Sequence, residues 1–205
     1  MATLAEALRS SSRSFGLILR AAALKRGTPV TDSDYPVLHI DVLVRALDAA
    51  GVRYIVIGGV AMMSWDHMRA TLDLDVCYAL DRANCRALLR ALRVLRARPE
   101  GYSESDLLFA RGMATQLETD GGRLDLLAVP SGTTGYDDIV ADAGMLDVAE
   151  DLSVPIPSRE TMLRMKRAAN RPGKDWVDID ILEGGDGRNV RHQVDADRLQ
   201  EGLDQ

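Results

Sequence analysis

Two aspartates interrupt an apolar segment at residues 72–79, and this segment constrains the fold more than any other feature of the sequence. Successive side chains of a β-strand point to opposite faces of the sheet, so residues two apart share a face. A strand over 72–79 therefore places Asp73 and Asp75 on one face and the apolar residues on the other. Because neighbouring carboxylates repel and Asp is a poor strand former, the pair indicates a bound divalent cation such as magnesium. A solvated edge strand with two surface aspartates is the alternative interpretation.

A glycine pair, Gly58 and Gly59, precedes this strand and follows a β-branched run at 54–57. The run predicts a buried strand, and a short helix is expected over 60–67. A glycine without a Cβ lets the backbone approach a phosphate, and the N-terminus of the following helix presents free N–H groups. A strand, a phosphate-binding turn, a short helix and a return strand would place the glycines beside the two aspartates.

Helices and strands alternate along the chain, with one hairpin between them, which is typical of an α/β or α+β protein. Apolar periodicity and capping residues predict further helices over 2–26, 38–50, 81–95, 159–170 and 175–182. The hairpin is expected over 116–129, and loop-rich structure with short elements near 138–141 and 146–148 is expected over 131–155. These elements suggest an N-terminal helix and linker, a mixed-sheet core and a C-terminal helical segment, bounded at 1–34, 35–155 and 156–205.

A third carboxylate is expected in the hairpin. Asp125 stands inside the apolar strand 123–127, and Glu118 on the partner strand is the competing candidate. With Asp73 and Asp75, a third acid would complete a site for two metal ions, in which one ion activates an attacking hydroxyl and the other holds a polyphosphate. An aspartate on the surface of a hairpin would explain the same pattern without a ligand.

Lysine is rare in this chain, since it occurs only at positions 25, 166 and 174. Lys166 and Lys174 fall in one short segment, which also contains Arg171, Asp175 and Asp178. Positive groups of this kind stabilise the charge that builds on a leaving polyphosphate. A solvated helix face is the alternative, because runs of charged residues usually lie on such faces.

The formal net charge of −6 argues against a protein that coats DNA. No apolar run approaches the roughly 18 residues needed to cross a membrane, and the N-terminus lacks the apolar stretch of a secretory signal, so we expect a cytoplasmic protein. Cys77 and Cys85 have no partner at metal-ligand spacing and are interpreted as reduced core residues. The three histidines are scattered and form no zinc motif.

Taken together, these motifs resemble the nucleotidyltransferase superfamily related to DNA polymerase β, in which a hydrophobic strand, Gly-Gly or Gly-Ser, a spacer and Asp-x-Asp follow one another. Within that superfamily the chain looks most like the AbiEii and MenT toxin group of bacterial toxin–antitoxin systems. An Arg-x-Thr-x-Asp-x-Asp stretch, a helical Lys and a later Lys-Asp-x-x-Asp segment are common in that group. In this chain they stand as Arg69-Ala70-Thr71-Leu72-Asp73-Leu74-Asp75, Lys166, Lys174-Asp175 and Asp178. The chain departs from the pattern at Gly59, where many relatives have Ser, and at Gly173, which lengthens a turn.

The resemblance implies a nucleotidyltransferase-like mixed sheet flanked by helices. It also implies transfer of a nucleoside monophosphate from a nucleoside triphosphate to an acceptor hydroxyl, with release of pyrophosphate. Two magnesium ions are implied, with the ligands Asp73, Asp75 and Asp125. The implied catalytic residues are Asp73, Asp75, Asp125, Lys166 and Asp178. Contacts with the nucleotide are implied for Gly58, Gly59, Arg69, Thr71 and Lys174.

The acceptor implied by the resemblance is the 3′ end of tRNA, and a cognate antitoxin protein is an implied partner. A row of arginines on the helix predicted over 81–95 supports an RNA acceptor, because guanidinium groups suit a phosphate backbone. These residues are Arg82, Arg86, Arg90, Arg93 and Arg96. An exposed helix face explains the row equally well. A small-molecule acceptor, as in lincosamide-type resistance enzymes, a protein hydroxyl, and a non-catalytic domain that binds nucleotide or a partner remain alternatives.

Overall fold

The computed structural model of the protein describes residues 38–65, 67, 71–99 and 114–185. This part of the chain forms a mixed α+β fold with a five-stranded sheet and a separate two-stranded sheet, which confirms the predicted fold class. The helix predicted over 2–26, the linker that follows it, Arg69 and the chain beyond 185 lie outside the described residues. None of the described helices is long and apolar enough to span a membrane.

The elements follow the sequence-based prediction closely over the first two thirds of the described chain. Helices α1, α2 and α3 comprise Ile40–Ala49, Gly58–Met62 and Arg82–Val94, and a 3-10 turn at Met63–Trp65 follows α2. Strands β1 to β5 comprise Tyr54–Ile57, Asp73–Tyr78, Arg98–Pro99, Ala114–Thr119 and Gly122–Leu127. The helix predicted over 60–67 is therefore shorter, and it starts at the glycine pair itself.

The remaining elements include one hairpin that the sequence-based prediction placed in a loop. They are α4 at Tyr136–Val140, β6 at Gly144–Ala149, β7 at Leu152–Ile156, α5 at Arg159–Ala169 and α6 at Asp175–Leu182. The short elements predicted near 138–141 and 146–148 correspond to α4 and to the centre of β6. The prediction did not include β7 or the antiparallel pairing of β6 with β7. In β7, Leu152, Val154 and Ile156 are buried and alternate with more exposed residues, which is the two-residue period of a half-buried strand.

Strand β5 lies between β2 and β4, so that the order of the large sheet is β1-β2-β5-β4-β3. Strands β2 and β5 pair in parallel, whereas β1 with β2, β5 with β4 and β4 with β3 pair antiparallel. Neighbouring strands lie about 5 Å apart, so side chains in register on the same face are close neighbours. The parallel pairing therefore brings β5 beside β2 although the two are distant in the sequence.

Helices α1 and α3 cover one face of this sheet. Leu43 and Leu47 of α1 pack with Leu74 and Val76 of β2 and Leu88 of α3 in the main hydrophobic cluster. The first helix has apolar residues three and four apart, and it ends at Gly51, whose φ of 71° is the left-handed conformation that glycine adopts at low cost. The third helix begins at Asp81, whose side chain accepts hydrogen bonds from two backbone N–H groups of the first turn.

The opposite face of the sheet carries a smaller apolar cluster and the acidic residues. Ile55, Ile57 and Cys77 pack there with Ile139 of α4 and Met165 of α5. Cys77 and Cys85 are both buried and free of disulfides, which agrees with their interpretation as core residues. Helices α5 and α6 thus stand over the same face toward which the alternation of β2 directs Asp73 and Asp75.

Candidate active site

Two carboxylates lie side by side across the parallel strand pair. Asp75 of β2 is in register with Asp125 of β5, and on the other side of β2 it is in register with Ile57 of β1. Both acids share a face with Asp73, because residues two apart on β2 point the same way. The structure therefore brings together three of the carboxylates that the sequence singled out.

The register also distinguishes between Asp125 and Glu118, the two candidates for the third carboxylate. Asp125 pairs with Asp75 on one side and with Gln116 on the other, whereas Glu118 is in register with Arg123. Glu118 is exposed on β4, a strand that does not touch β2. Asp125 is thus the nearer neighbour of the Asp-x-Asp pair.

Gly58 packs directly against the carboxylate of Asp75. A Cβ built on Gly58 would lie 2.6 Å from Cγ and 2.9 Å from Cβ of Asp75, distances at which one of the two must move. The φ of Gly58 is 66°, a conformation that residues with side chains rarely adopt. Glycine is therefore needed here for two reasons, since it permits both the turn after β1 and the close approach of the acid. Gly59 follows as a buried residue of α2.

Asp73, Asp75 and Asp125 are at least partly buried, and their carboxylates repel one another. Burial raises the pKa of Asp75 to about 6, and the charges of Asp73 and Asp125 add to this effect, whereas Lys174 and Lys166 oppose it. Burial and the charge of Asp73 also raise the pKa of Asp125, against the lowering effects of Gln116 and Arg123. A cation among these oxygens would stabilise their ionised forms.

Neighbouring side chains hold two of the acids in place. The hydroxyl of Thr71 donates a hydrogen bond of 2.9 Å to Oδ1 of Asp73. The amide of Gln116 donates one of 3.0 Å to Oδ2 of Asp125, and Nε of Arg123 lies 3.5 Å from Oδ1 of the same acid. Oδ1 of Asp125 is buried and has no hydrogen-bond donor among the described residues, so it is open to a cation or a proton.

The chemistry of this donor set suits a hard divalent ion, which prefers carboxylate oxygens. Within the described ranges, however, no three carboxylate, imidazole or thiolate groups already surround a single point at coordination distance. Asp73, Asp75 and Asp125 would therefore turn toward an ion to ligate it together. The buried Oδ1 of Asp125 and the raised pKa of Asp75 are the two observations that fit a cation here.

Helices α5 and α6 supply the positive charge opposite the acids. Ser158 caps α5 by accepting a hydrogen bond from the backbone of Thr161, and Asn170 ends it in the left-handed conformation with a φ of 45°. The turn at 171–174 then leads into α6. Lys174, at the start of α6, is exposed, and its charge acts on both Asp75 and Asp125.

Lys166 and two aspartates of α6 form a buried ion-pair network. Nζ of Lys166 lies 2.7 Å from Oδ2 of Asp178 and 3.3 Å from Oδ1 of Asp175. Arg171 binds Asp175 through two of its nitrogens, at 2.8 and 3.0 Å. Burial disfavours the ionised form of Asp175, but the hydrogen bonds from Arg171 and the charge of Lys166 hold the pKa of Asp175 below its usual value.

His67 joins this network, although no motif in the sequence drew attention to it. Its Nε2 lies 3.2 Å from Oδ1 of Asp178, and both side chains are buried. Asp178 has no exposed surface, so it lies beneath Lys166 rather than at an open surface of the site. Histidine in a polar linker gives little signal in a sequence, and only the fold shows where it packs.

A pocket of about 230 Å³ opens between Asp75 and α5. Asp75 and Gly58 line one side of it, and Lys166 and Arg171 line another. The rest of the wall is mainly apolar and includes Leu127, Pro130, Met162 and Met165. The pocket therefore combines groups that attract a polyphosphate with a wall that suits a flat apolar ring.

The arginine row lies away from this site. Arg82, Arg86, Arg90 and Arg93 are exposed on α3, the helix that covers the opposite face of the sheet. Arg96 stands beyond the end of α3 with a φ of 50°, so the prediction that it continues the helical row was wrong. The guanidinium groups and the acids are therefore separated by the thickness of the sheet.

Comparison with solved structures shows which proteins share this fold. The lincomycin-bound crystal structure of the lincosamide antibiotic adenylyltransferase LnuA aligns with a TM-score of 0.52 at 16% identity, over 75% of this chain and 97% of that one. An antigenic nucleotidyltransferase-like protein from Paracoccidioides brasiliensis aligns with a TM-score of 0.47 at 20% identity, over 86% and 92% of the two chains. The antibiotic-resistance factor ANT(2'')-Ia aligns with a TM-score of 0.47 at 14% identity, over 80% and 93%. No protein-family model and no curated protein sequence matches the chain. The likeness to LnuA shows that the chain has a nucleotidyltransferase-like fold.

Proposed function

We propose that this protein is a metal-dependent nucleotidyltransferase that moves a nucleoside monophosphate from a nucleoside triphosphate to an acceptor hydroxyl and releases pyrophosphate. The observation that carries the proposal is the packing of Gly58 against Asp75, in register with Asp125. A triphosphate with its magnesium ions requires a tight turn, aligned carboxylates and positive groups opposite them. This site has a glycine turn, two aligned carboxylates and two lysines. A fold like that of LnuA supports the same function.

Asp73, Asp75 and Asp125 would hold magnesium at the edge of the pocket. When bound, magnesium neutralises the charge of the triphosphate and lowers the pKa of a coordinated hydroxyl. Thr71 keeps Asp73 oriented through its hydrogen bond to Oδ1. Gly58 and Gly59 leave room for phosphate oxygens at the first turn of α2, and Arg69 is proposed to contact the nucleotide nearby.

Lys166 and Lys174 would stabilise the pyrophosphate as it leaves. Lys166 lines the pocket beside Asp75, and the charge of Lys174 acts on two of the acids. Since an ammonium group on a buried framework needs no reorganisation during the reaction, it stabilises developing charge effectively. Asp178, which the sequence suggested as a further acid of the active site, is proposed to hold Lys166 rather than to touch the substrate.

Asp125 would serve the acceptor side of the reaction. Its Oδ1, which accepts no hydrogen bond within the described residues, can receive the proton of an attacking hydroxyl or ligate the ion that activates it. The substitution Asp125→Asn is expected to abolish transfer, whereas Glu118→Gln, one strand farther out, is expected to retain it. The opposite result would assign the third carboxylate to Glu118.

The acceptor has two candidates. The resemblance to MenT-type toxins points to the 3′ end of tRNA, with a cognate antitoxin as a partner. The likeness to LnuA, whose structure holds lincomycin, points instead to a small hydroxylated molecule such as an antibiotic. Because the arginine row lies on the far side of the sheet, it gives the tRNA acceptor no support, and we place the small molecule first.

The test is an incubation of the protein with each of the four labelled nucleoside triphosphates, magnesium and one acceptor at a time. Total tRNA, lincomycin and tobramycin are the acceptors, and products are separated on denaturing gels and by mass spectrometry. The label should move to one acceptor, depend on magnesium and disappear with Asp75→Asn. The matched control is Asp137→Asn, which removes an exposed carboxylate of α4 and should leave transfer unchanged.

Two outcomes would count against the proposal. If no acceptor is labelled but isothermal titration shows that a triphosphate binds, the protein is a non-catalytic nucleotide-binding domain. If Asp75→Asn transfers as well as the wild type, the acidic cluster is not the catalytic centre. Growth arrest with loss of chargeable tRNA on expression would favour the toxin, whereas drug resistance without toxicity would favour the small-molecule acceptor.

A further inference from the structure

His67 is a buried polar residue that the proposed chemistry leaves without a role. It lies between the 3-10 turn after α2 and Thr71, on the connection that leads into Asp73. Only 5% of its surface is exposed, and its Nε2 faces a carboxylate that belongs to α6. A polar ring is costly to bury unless it finds a partner, so its placement calls for a physical reason.

One carboxylate is shared between His67 and Lys166. Oδ1 of Asp178 lies 3.2 Å from Nε2 of His67, and Oδ2 lies 2.7 Å from Nζ of Lys166. Asp178 therefore bridges the connection before Asp73 and the helix that carries the lysine. A carboxylate with a partner close to each oxygen is restrained in its rotation, and this in turn restrains the ammonium group.

The position of Lys166 matters because its ammonium group lines the pocket beside Asp75. Positioning errors of about 1 Å can lower a catalytic rate roughly 100-fold. Nε2 of His67 makes no hydrogen bond within the described residues, and Asp178 is the carboxylate 3.2 Å from it. We propose that His67 is a positioning residue: with a small rotation of its ring Nε2 donates to Asp178 and so fixes Lys166 relative to the acidic strand. This inference rests on the proposed nucleotidyl transfer and adds to it a residue that touches no substrate.

Three variants test the role of the donor. His67→Phe keeps a ring but removes the donor, His67→Gln keeps an amide donor near the place of Nε2, and His39→Gln alters an exposed histidine as the matched control. We expect His67→Phe to lower kcat about 30-fold and to raise KM for the triphosphate several-fold, and we expect His67→Gln to stay within about threefold of the wild type. The control should match the wild type in both constants.

The two variants of His67 separate positioning from simple structural support. Loss of kcat in a folded His67→Phe protein, with recovery in His67→Gln, supports the proposal. Wild-type constants in folded His67→Phe would overturn it, and so would equal losses in both variants, because the donor would then be irrelevant.

If His67→Phe does not fold, a measurement on the wild type still tests the proposal. The chain has three histidines, so long-range ¹⁵N–¹H spectra can assign each ring with single substitutions. We expect a proton on Nε2 of His67. A ring that carries its proton on Nδ1 alone would overturn the proposal. If the wild type transfers no nucleotide at all, the proposed function fails, and these spectra still decide whether His67 donates to Asp178.

Discussion

The two faces of the five-stranded sheet differ sharply, although the same strands build both. On the face toward α1 and α3, Leu74 and Val76 of β2 have no exposed surface and belong to the main hydrophobic cluster. On the other face, Asp73 and Asp75 alternate with them and lie partly buried among charges. One strand thus serves packing on one side and carries the proposed chemistry on the other.

Because of this difference, substitutions on the two faces should have different effects. Apolar burial stabilises the first face at about 25 cal/mol for each Å² removed from water. On the second face, burial and then the repulsion from Asp73 and Asp125 raise the pKa of Asp75, so the ionised carboxylate lowers the stability of the metal-free fold. Substitutions on the first face should therefore affect folding alone, and those on the second face should affect activity first.

The largest effect is expected for Asp75→Asn. We expect transfer to fall at least about 1,000-fold, because a ligand of the metal and its charge are lost together. The same change should raise the melting temperature of the metal-free protein at pH 8 by a few degrees, since it removes repulsion worth about 1 kcal/mol. Steady-state transfer assays and thermal melts check the two parts, and a fall in both would contradict the contrast between the faces.

The stability of the metal-free protein should depend on pH because the pKa of Asp75 is raised. The pKa of Asp75 is raised to about 6, so the folded metal-free protein binds this proton more tightly than the unfolded chain does. Stability from this group is then present at low pH and is lost as the pH rises from about 4 to about 6. Denaturant melts across this range should show a smaller loss in Asp75→Asn, and magnesium should diminish the loss in the wild type.

The next effect is expected for Lys166→Met. Removing one partner of a buried ion pair leaves uncompensated carboxylates and costs about 3–5 kcal/mol of stability. Because Lys166 also lines the pocket, we expect about 100-fold slower transfer in the fraction that folds. Urea unfolding measures the loss of stability. Transfer rates divided by the concentration of folded protein measure the loss of activity. A stable, fully active variant would show that the network does not support the site.

On the opposite face, Leu74→Ala should cost about 3 kcal/mol of stability, since it opens a cavity in a well-packed core. Transfer per folded molecule should remain within about twofold of the wild type, because the side chain points away from the acids. Urea unfolding followed by kinetics below the unfolding transition checks both. A selective loss of kcat would mean that the core face also controls the geometry of the acids.

The smallest effect is expected for the double substitution Arg82→Gln with Arg86→Gln. Both side chains are exposed on α3, and their loss should change stability by less than about 0.5 kcal/mol. Transfer to any acceptor should be unaffected if the acceptor binds on the site face. A loss of transfer to tRNA but not to the other acceptors, measured at several salt concentrations, would instead show that tRNA contacts α3.

The local features of the fold and the site could be predicted from the sequence. The two-residue period predicts that Asp73 and Asp75 share a face, and the glycine pair predicts a tight turn after β1. Asp81 and Ser158 indicate the starts of α3 and α5 because they can accept hydrogen bonds from free backbone N–H groups. Each of these inferences depends on neighbours a few residues away.

The features that could not be predicted depend on partners far along the chain. The register that sets Asp125 beside Asp75 arises from a parallel pairing, and no turn between the two strands fixes it. The contact of His67 with Asp178 joins a linker to a C-terminal helix, which residue spacing cannot indicate. A short element was expected near 146–148, but its pairing with β7 was not predicted, because β6 is mostly exposed and its residues lack a clear apolar alternation.

The insertion of β5 between β2 and β4 has a consequence for how the protein acquires its activity. The β4–β5 hairpin joins residues close in sequence and can form early, whereas its docking against β2 closes a long stretch of chain. Asp75 and Asp125 become neighbours only at that docking step. A partly folded chain is therefore expected to lack the proposed transfer activity until the hairpin has docked against β2, so that an assay of transfer would also measure the completion of this step.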